Sequence, residues 1–391
     1  MSSQQLQPLQ SLQPLQPLQQ LQPLQPFIKW AGGKRAIMGE LEVRFPKKWK
    51  NYHEPFLGGG AVMMHLQQKA IKDTSRHNGN MFCSDISEPL IIVYKVIKDN
   101  VEDLITELQK DEYLWQENDE QQRKNFMSQR DAFNRLKLKA WTLILKTVAE
   151  ARKITTTQLM TDIIAKEKDA QAKSNTKEFV KQTGESKTSK VLLENVLTLP
   201  EKISMAALFI FLNKTGFNGM YRENALGLYN IPPGSSTTKK TKEKNVESSA
   251  SKKHKPSPTI YEPELLRSLS RTWKEIDTQF TCQSFEAVLM TAEKDDFVYL
   301  DPPYDADDKQ FTAYNGSGFA EVEQKRLQEF FKELTGRGCF VMMSNSGTKR
   351  IKDLYNLEGV TIESINVKRC INSKGDQRSI PVEEVIIRNY T

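Results

Sequence analysis

The stretch Tyr52-His53-Glu54-Pro55-Phe56-Leu57-Gly58-Gly59-Gly60 decides how the rest of this chain is read. Tyr52–Phe56 has the make-up of a short strand, and it runs straight into three glycines. Ala61–Lys69 then carries a helical pattern, and Phe82–Ile86 reads as a second strand that reaches Asp85. Strand, glycine turn, helix, strand and acid is the layout of a nucleotide-binding α/β unit. Residues without a Cβ at Gly58–Gly60 let backbone approach a cofactor closely at a helix N-terminus. Asp85 lies roughly 25 residues further on, near the spacing at which an acid reaches ribose hydroxyls.

Upstream of this unit, Lys29-Trp30-Ala31-Gly32-Gly33-Lys34 reads as a glycine-containing turn, with an amphipathic helix expected over Lys34–Phe45. Downstream, residues 90–135 and 202–214 have helical periodicity. Between them, 137–200 reads as an insertion, helical in its first half, and 235–258 as a Ser-, Thr- and Lys-rich linker. After Leu265 the α/β pattern resumes. Strands are expected at Phe297–Leu300, Cys339–Ser344, Val360–Val367 and Val382–Tyr390, with a helix at Glu321–Leu334. A parallel sheet flanked by helices follows, its last two strands able to pair as a hairpin.

Residues 1–26 are different: Leu recurs at every third position from Leu6 to Leu24 among Gln and Pro, without charge. That period suits a polyproline II rod, and the expectation is a tail dispensable for chemistry. At 391 residues, 38% hydrophobic and 27% charged, the remainder describes a soluble globular protein able to bury a large core. A net charge of +7 is compatible with a polyanionic partner. Cys83, Cys282, Cys339 and Cys370 form no Cys-x-x-Cys pair and there are only 4 histidines, so no metal site is expected. Reduced thiols in an intracellular compartment are the expectation, with no signal peptide and no membrane span.

Phe297-Val298-Tyr299-Leu300 leads into Asp301-Pro302-Pro303-Tyr304. The two prolines fix φ and remove two N–H donors, leaving a stiff turn that presents carbonyls. A carboxylate, a proline-fixed carbonyl and an aromatic ring in four residues suit one reaction well: methyl transfer to the exocyclic amine of a flipped base. The amine's lone pair is delocalised into the ring. The Asp301 carboxylate and the Pro302 carbonyl could bind both amine hydrogens and favour a tetrahedral nitrogen, while Tyr304 stacks on the base.

Lys29–Lys34, Glu54–Gly60, Asn213–Arg222 (Asn-Lys-Thr-Gly-Phe-Asn-Gly-Met-Tyr-Arg) and Asp301–Tyr304, in this order, resemble the Dam-type (class alpha, D12) DNA adenine N6-methyltransferases. The resemblance covers most of 27–135 and 201–390, but not the tail, the insertion or the linker. It implies a Rossmann-like methyltransferase sheet formed by 27–90 and 260–391, with an inserted, mainly helical target-recognition domain at 91–259. It also implies S-adenosylmethionine as cofactor, bound by Trp30, Lys34, Glu54, Gly58, Gly60, Asp85 and Asp301, and direct transfer to adenine N6 in double-stranded DNA. Asp301, Pro302, Pro303 and Tyr304 would form the catalytic turn. DNA reading would fall to Lys29, Phe217, Asn218, Met220, Arg222 and Pro232, with Phe217 and Asn218 filling the gap left by the flipped base. Arg222 would contact a guanine, and the expected site is GATC or a related GAT-containing sequence. Asp305–Phe319 would border the pocket as a lid, and Lys374 and Arg378 would lie near DNA. A cognate restriction endonuclease is left open as a partner. N4-cytosine methylation and a catalytically silent DNA-binding homologue are the alternatives. Asp rather than Ser at 301 speaks against the first, and intact Asp301, Gly58–Gly60 and Asp85 against the second.

Overall fold

Phe297–Leu300 forms a strand with all four residues buried, as a short run of consecutive apolar residues at the centre of a parallel sheet should be. In the computed structural model, which describes residues 22–72, 79–114, 119–152, 155, 158, 193–224, 227–234, 258–304, 321–368 and 381–391, this strand is β4 of seven. The others are β1 (Tyr52–Glu54), β2 (Met81–Asp85), β3 (Thr278–Cys282), β5 (Phe340–Ser346), β6 (Thr361–Lys368) and β7 (Pro381–Arg388). Their order across the sheet is β3-β2-β1-β4-β5-β7-β6. β1 to β5 run parallel, and β7 runs antiparallel to both of its neighbours. This is the mixed α/β, Rossmann-like architecture expected, including the terminal hairpin.

Several elements lay outside the expectation, the largest being the helix Pro263–Glu275 and β3, together with the short helix Lys349–Leu354 and the 3-10 turn Phe285–Met290. β3 is an edge strand of alternating buried and exposed residues, and Thr278-Gln279-Phe280-Thr281-Cys282 has too little apolar content to announce itself. The single helix expected over Lys34–Phe45 is instead a 3-10 turn, Lys34–Ile37, followed by a short helix, Met38–Glu42, with Gly39 in its first turn. The tail before residue 22, Asp305–Phe319, Asn372–Arg378, most of the insertion and nearly all of the linker fall outside the described residues.

Between β2 and β3 the described residues are mainly helical, with long helices at Glu88–Asp99, Val101–Leu108, Asp119–Arg152 and Leu199–Thr215. Leu199–Thr215 opens on a capping box between Thr198 and Glu201 and is buried on almost every side from Met205 to Asn213. A helix that is apolar all round must be enclosed, and this one packs against Glu88–Asp99 and Asp119–Arg152. Trp273, Tyr94, Phe280 and Phe27 form an aromatic knot where the helices meet the sheet, with ring centroids 4.9–6.4 Å apart. No helix among the described residues is long and apolar enough to cross a membrane.

At the N-terminal edge of the sheet, Asp296 accepts hydrogen bonds from the Asn51 backbone (3.0 Å) and side chain (3.0 Å) and from the Glu293 backbone (2.9 Å). It also faces His53 Nε2 at 3.0 Å, with both side chains fully buried. This network ties the start of β1 to the start of β4. Asp296→Ala is expected to destabilise the fold by about 3–5 kcal/mol, because it strands buried polar partners. Urea unfolding checks this, and a loss under about 1 kcal/mol would show the network to be dispensable.

Candidate functional site

β1 and β4 are neighbours, and from them the strand order runs in opposite directions. In such sheets the crevice beyond the C-terminal ends at this point is where ligands bind. Glu54 closes β1, Asp85 closes β2, and Asp301–Tyr304 leaves β4, so three acidic side chains meet along one edge.

Lys34 stands among them, only 5% exposed. Its Nζ lies 2.6 Å from Asp301 Oδ1, donates to the Gly32 carbonyl at 2.6 Å, and sits 4.9 Å from the centre of the Tyr304 ring. Burial pushes the Asp301 carboxyl up to about 6, against the pull of the Lys34 charge and hydrogen bond, with Glu384 adding to the rise. Glu54 accepts from the Tyr52 hydroxyl at 2.8 Å and from the Met63 backbone N–H at 3.0 Å. Burial raises it to about 8, opposed by the Tyr52 hydrogen bond and reinforced by Asp301. In free chains these groups titrate near 3.8 and 4.5. The folded chain therefore keeps both protons to higher pH, and their loss between those values and about 6 and 8 favours unfolding.

The glycine turn is shaped by protein on its near side. Gly58 and Gly60 have φ of +47° and +66°. A Cβ on Gly58 would lie 2.6 Å from Trp30 Cδ1, and one on Gly60 would lie 2.7 Å from the Tyr94 hydroxyl. That hydroxyl donates to the Gly58 carbonyl at 3.0 Å. Asp85 accepts from the Gly58 N–H at 3.0 Å and the Ser87 N–H at 2.9 Å. Its carboxyl is still raised by burial, against the Ser87, Gly58 and Ile86 amides.

Trp30 is half-buried and stacks on Phe209 (6.4 Å, 18°) and Tyr221 (5.9 Å, 21°). Tyr221 belongs to a hairpin marked by antiparallel bridges from Gly216 to Pro233 and from Glu223 to Tyr229. Its hydroxyl and the buried Lys137 both bond to Glu223. The turn Phe217–Gly219 holds Asn218 at φ 55°, which leaves Phe217 (43% exposed) and Asn218 on the surface. Arg222 is exposed and donates its Nε to Asn230 Oδ1 at 2.9 Å. Pro232 is exposed, and its carbonyl accepts from the Phe217 N–H at 3.0 Å. Met220 is partly buried against the core.

The strand order brings Glu54, Asp85 and Asp301–Tyr304 to the C-terminal ends of neighbouring strands, with Lys34 on Asp301 and Tyr304 and with Trp30 against Gly58, while Lys29, Phe217, Asn218, Arg222 and Pro232 are exposed. Sequence reasoning missed Glu384. This buried residue of β7 accepts a hydrogen bond from the Tyr304 hydroxyl at 2.9 Å across 80 residues of chain, and no local signal could have announced it. Among the described residues, no group of three or more His, Cys, Asp or Glu side chains is arranged to hold a metal.

A family model described as D12 class N6 adenine-specific DNA methyltransferase matches residues 30–371. The chain is 32% identical to the type II methyltransferase M.MjaIII of Methanocaldococcus jannaschii, over 93% of this chain and 98% of that protein. It is 27% identical to the type II methyltransferase M1.LlaDCHI of Lactococcus lactis subsp. cremoris, over 93% and 95%. With the DNA adenine methylase of Escherichia coli K12 it shares 24% identity over 92% and 93%.

Proposed function

Because the chain belongs to the D12 class of N6 adenine-specific DNA methyltransferases, and so moves a methyl group from a donor cofactor to DNA, we propose that the donor is S-adenosylmethionine and that Asp301, Pro302 and Tyr304 hold a flipped adenine. One observation carries this reading: the Lys34–Asp301 pair at the head of β4, with the Tyr304 ring beside it. The crevice suits the cofactor's chemistry. Asp85 and the Lys34-paired Asp301 offer carboxyls to a ligand that carries a sulfonium and an ammonium group, and Glu54, which keeps its proton to about pH 8, would become charged as such a cation binds. When bound, S-adenosylmethionine supplies an electrophilic methyl group on sulfur. Asp85 and the Gly58–Gly60 turn, backed by Trp30, would hold its nucleoside end, and Glu54 and Lys34 its charged end.

Asp301 and the Pro302 carbonyl accept the two amine hydrogens. Tyr304 stacks on the base, and a base–aromatic stack contributes roughly 1–3 kcal/mol towards a flipping cost of a few kcal/mol. Glu384 fixes the ring through its hydroxyl, and Pro303, whose carbonyl accepts from Gln324 at 3.3 Å, stiffens the turn. Methylation would leave the amine nitrogen with one surplus proton, which the adjoining Asp301 carboxylate would be placed to accept.

Residues 27–90 and 260–391 form the methyl-transfer half in this proposal, and 91–259 the DNA-reading half. Lys29, Phe217, Asn218, Met220, Arg222 and Pro232 meet the duplex, at GATC or a related GAT-containing site. The type II names of two relatives point to a cognate restriction endonuclease as a partner.

Transfer of labelled methyl from S-adenosylmethionine to unmethylated plasmid, followed by mapping of the modified adenines, tests the proposal. Modification confined to one short GAT-containing motif is the expected result, and label spread without motif would sink the assignment of Arg222. The acid limb of kcat/KM is expected near pH 6. Below it Asp301 carries a proton and loses an acceptor, so activity falls as pH is lowered. A limb that stays near pH 6 in Asp301→Asn would show that another group titrates there.

A further inference from the structure

Asn213 lies at the end of the Leu199–Thr215 helix, 3% exposed, and is part of neither the crevice nor the surface. Its amide nevertheless joins two distant segments. Oδ1 accepts from the Lys29 N–H at 2.8 Å and Nδ2 donates to the Lys29 carbonyl at 2.8 Å, closing a two-point clasp across 184 residues of chain. The same Nδ2 donates to the Gly219 carbonyl at 2.9 Å. Gly219 ends the turn that exposes Phe217 and Asn218, with φ of +65°. The Lys29 stem lies on it, since a Cβ on Gly219 would come 2.5 Å from Lys29 Cδ and 2.7 Å from Lys29 Cβ. One acceptor and two donors in one plane is what an Asn amide offers and what a carboxylate or a hydroxyl does not.

We propose that Asn213 is a positioning residue for DNA reading. It holds Lys29 and the Phe217–Gly219 turn in fixed register, so that the segment leading to Trp30 and the crevice moves with the turn that meets DNA. The inference rests on the reading of Lys29, Phe217 and Asn218 as DNA-facing. Asn134 provides an internal comparison. Its amide clasps the Tyr229 backbone at 2.9 and 3.1 Å in the same hairpin, and neither bond involves Lys29.

The test uses the full chain with S-adenosylmethionine and two duplexes: one with the target adenine, for turnover, and one with fluorescent 2-aminopurine in its place, for flipping. Asn213→Asp keeps the size of the side chain but sets a carboxylate against two carbonyl oxygens. It is expected to lower kcat/KM for DNA on the order of tenfold and to shrink the fluorescence rise that reports flipping, with cofactor affinity retained. Its effect should be strongly non-additive with that of Lys29→Ala, whereas Asn134→Asp and Lys29→Ala should add. Additivity in the first pair, or a full fluorescence rise in folded Asn213→Asp, overturns the inference. If the aspartate variant does not fold, Asn213→Ser takes its place in the same cycle. Unlabelled DNA with the wild-type chain would instead remove the DNA-facing reading itself, a failure visible before any variant is made.

Discussion

Asp301→Ala is expected to lower kcat on the order of 10²–10³-fold or more while S-adenosylmethionine affinity stays within a few-fold. The amine nitrogen of adenine becomes nucleophilic only as its lone pair leaves the ring. The acceptors on its hydrogens are therefore worth more in the transition state than in the bound ground state, and such an interaction appears in kcat. In the proposed mechanism Asp301 is the charged acceptor, and it is held at 2.6 Å from Lys34. A hydrogen bond to a charged group contributes about 1.5–3 kcal/mol, and a dry site strengthens it. Asp301→Asn keeps one acceptor oxygen without the charge and should fall between wild type and alanine. Because Lys34 is nearly buried, removal of its partner also costs stability, so unfolding of each variant has to be measured alongside turnover. Near-normal turnover of a folded Asp301→Ala would sink the proposed handling of the amine.

Local pattern made much of the frame legible. β4 occupies the residues its apolar run marked, and β1, β2 and β5–β7 fall within two residues of expectation at each end. The pattern was weakest at β3, an edge strand of five residues with little apolar content, whereas the Pro263–Glu275 helix does carry an amphipathic period, with Leu265, Leu266, Leu269 and Trp273 on its buried side. Sequence also marked the ingredients of the crevice but not their pairing. That Lys34 reaches Asp301, that Tyr304 rests on Glu384 and that Asn213 clasps Lys29 are consequences of the tertiary fold, which juxtaposes segments far apart in the chain. The glycines carry the clearest lesson. The sequence argues for a cofactor's close approach at Gly58–Gly60, yet the hydrogens of Gly58 and Gly60 first make room for Trp30 and Tyr94. A missing Cβ shows that something comes close, and only the fold shows what.

Arg222→Ala is the second large expected effect, and it separates sequence reading from simple charge. Arg222 is exposed on the hairpin, and Asn230 holds its Nε, which fixes the guanidinium plane rather than leaving the side chain to wander. An arginine fork held in one plane can place two donors on the O6 and N7 acceptors of a guanine, worth about 1–3 kcal/mol of discrimination. Loss of the fork should therefore lower methylation of the preferred site roughly 5- to 150-fold relative to sites changed at that guanine, with activity on the altered sites barely reduced. A phosphate contact predicts something different: a uniform loss across sequences and a salt dependence shallower by about one unit. Arg222→Lys decides between the two, because lysine keeps the charge and loses the fork. If discrimination survives in Arg222→Ala, Arg222 acts as a charge and the guanine must be read by another side chain of the hairpin; if it is lost there, the lysine variant is the deciding one. If it restores only overall affinity, the fork reads the base, and Asn230→Ala should then loosen the same position by freeing the plane that Asn230 now holds.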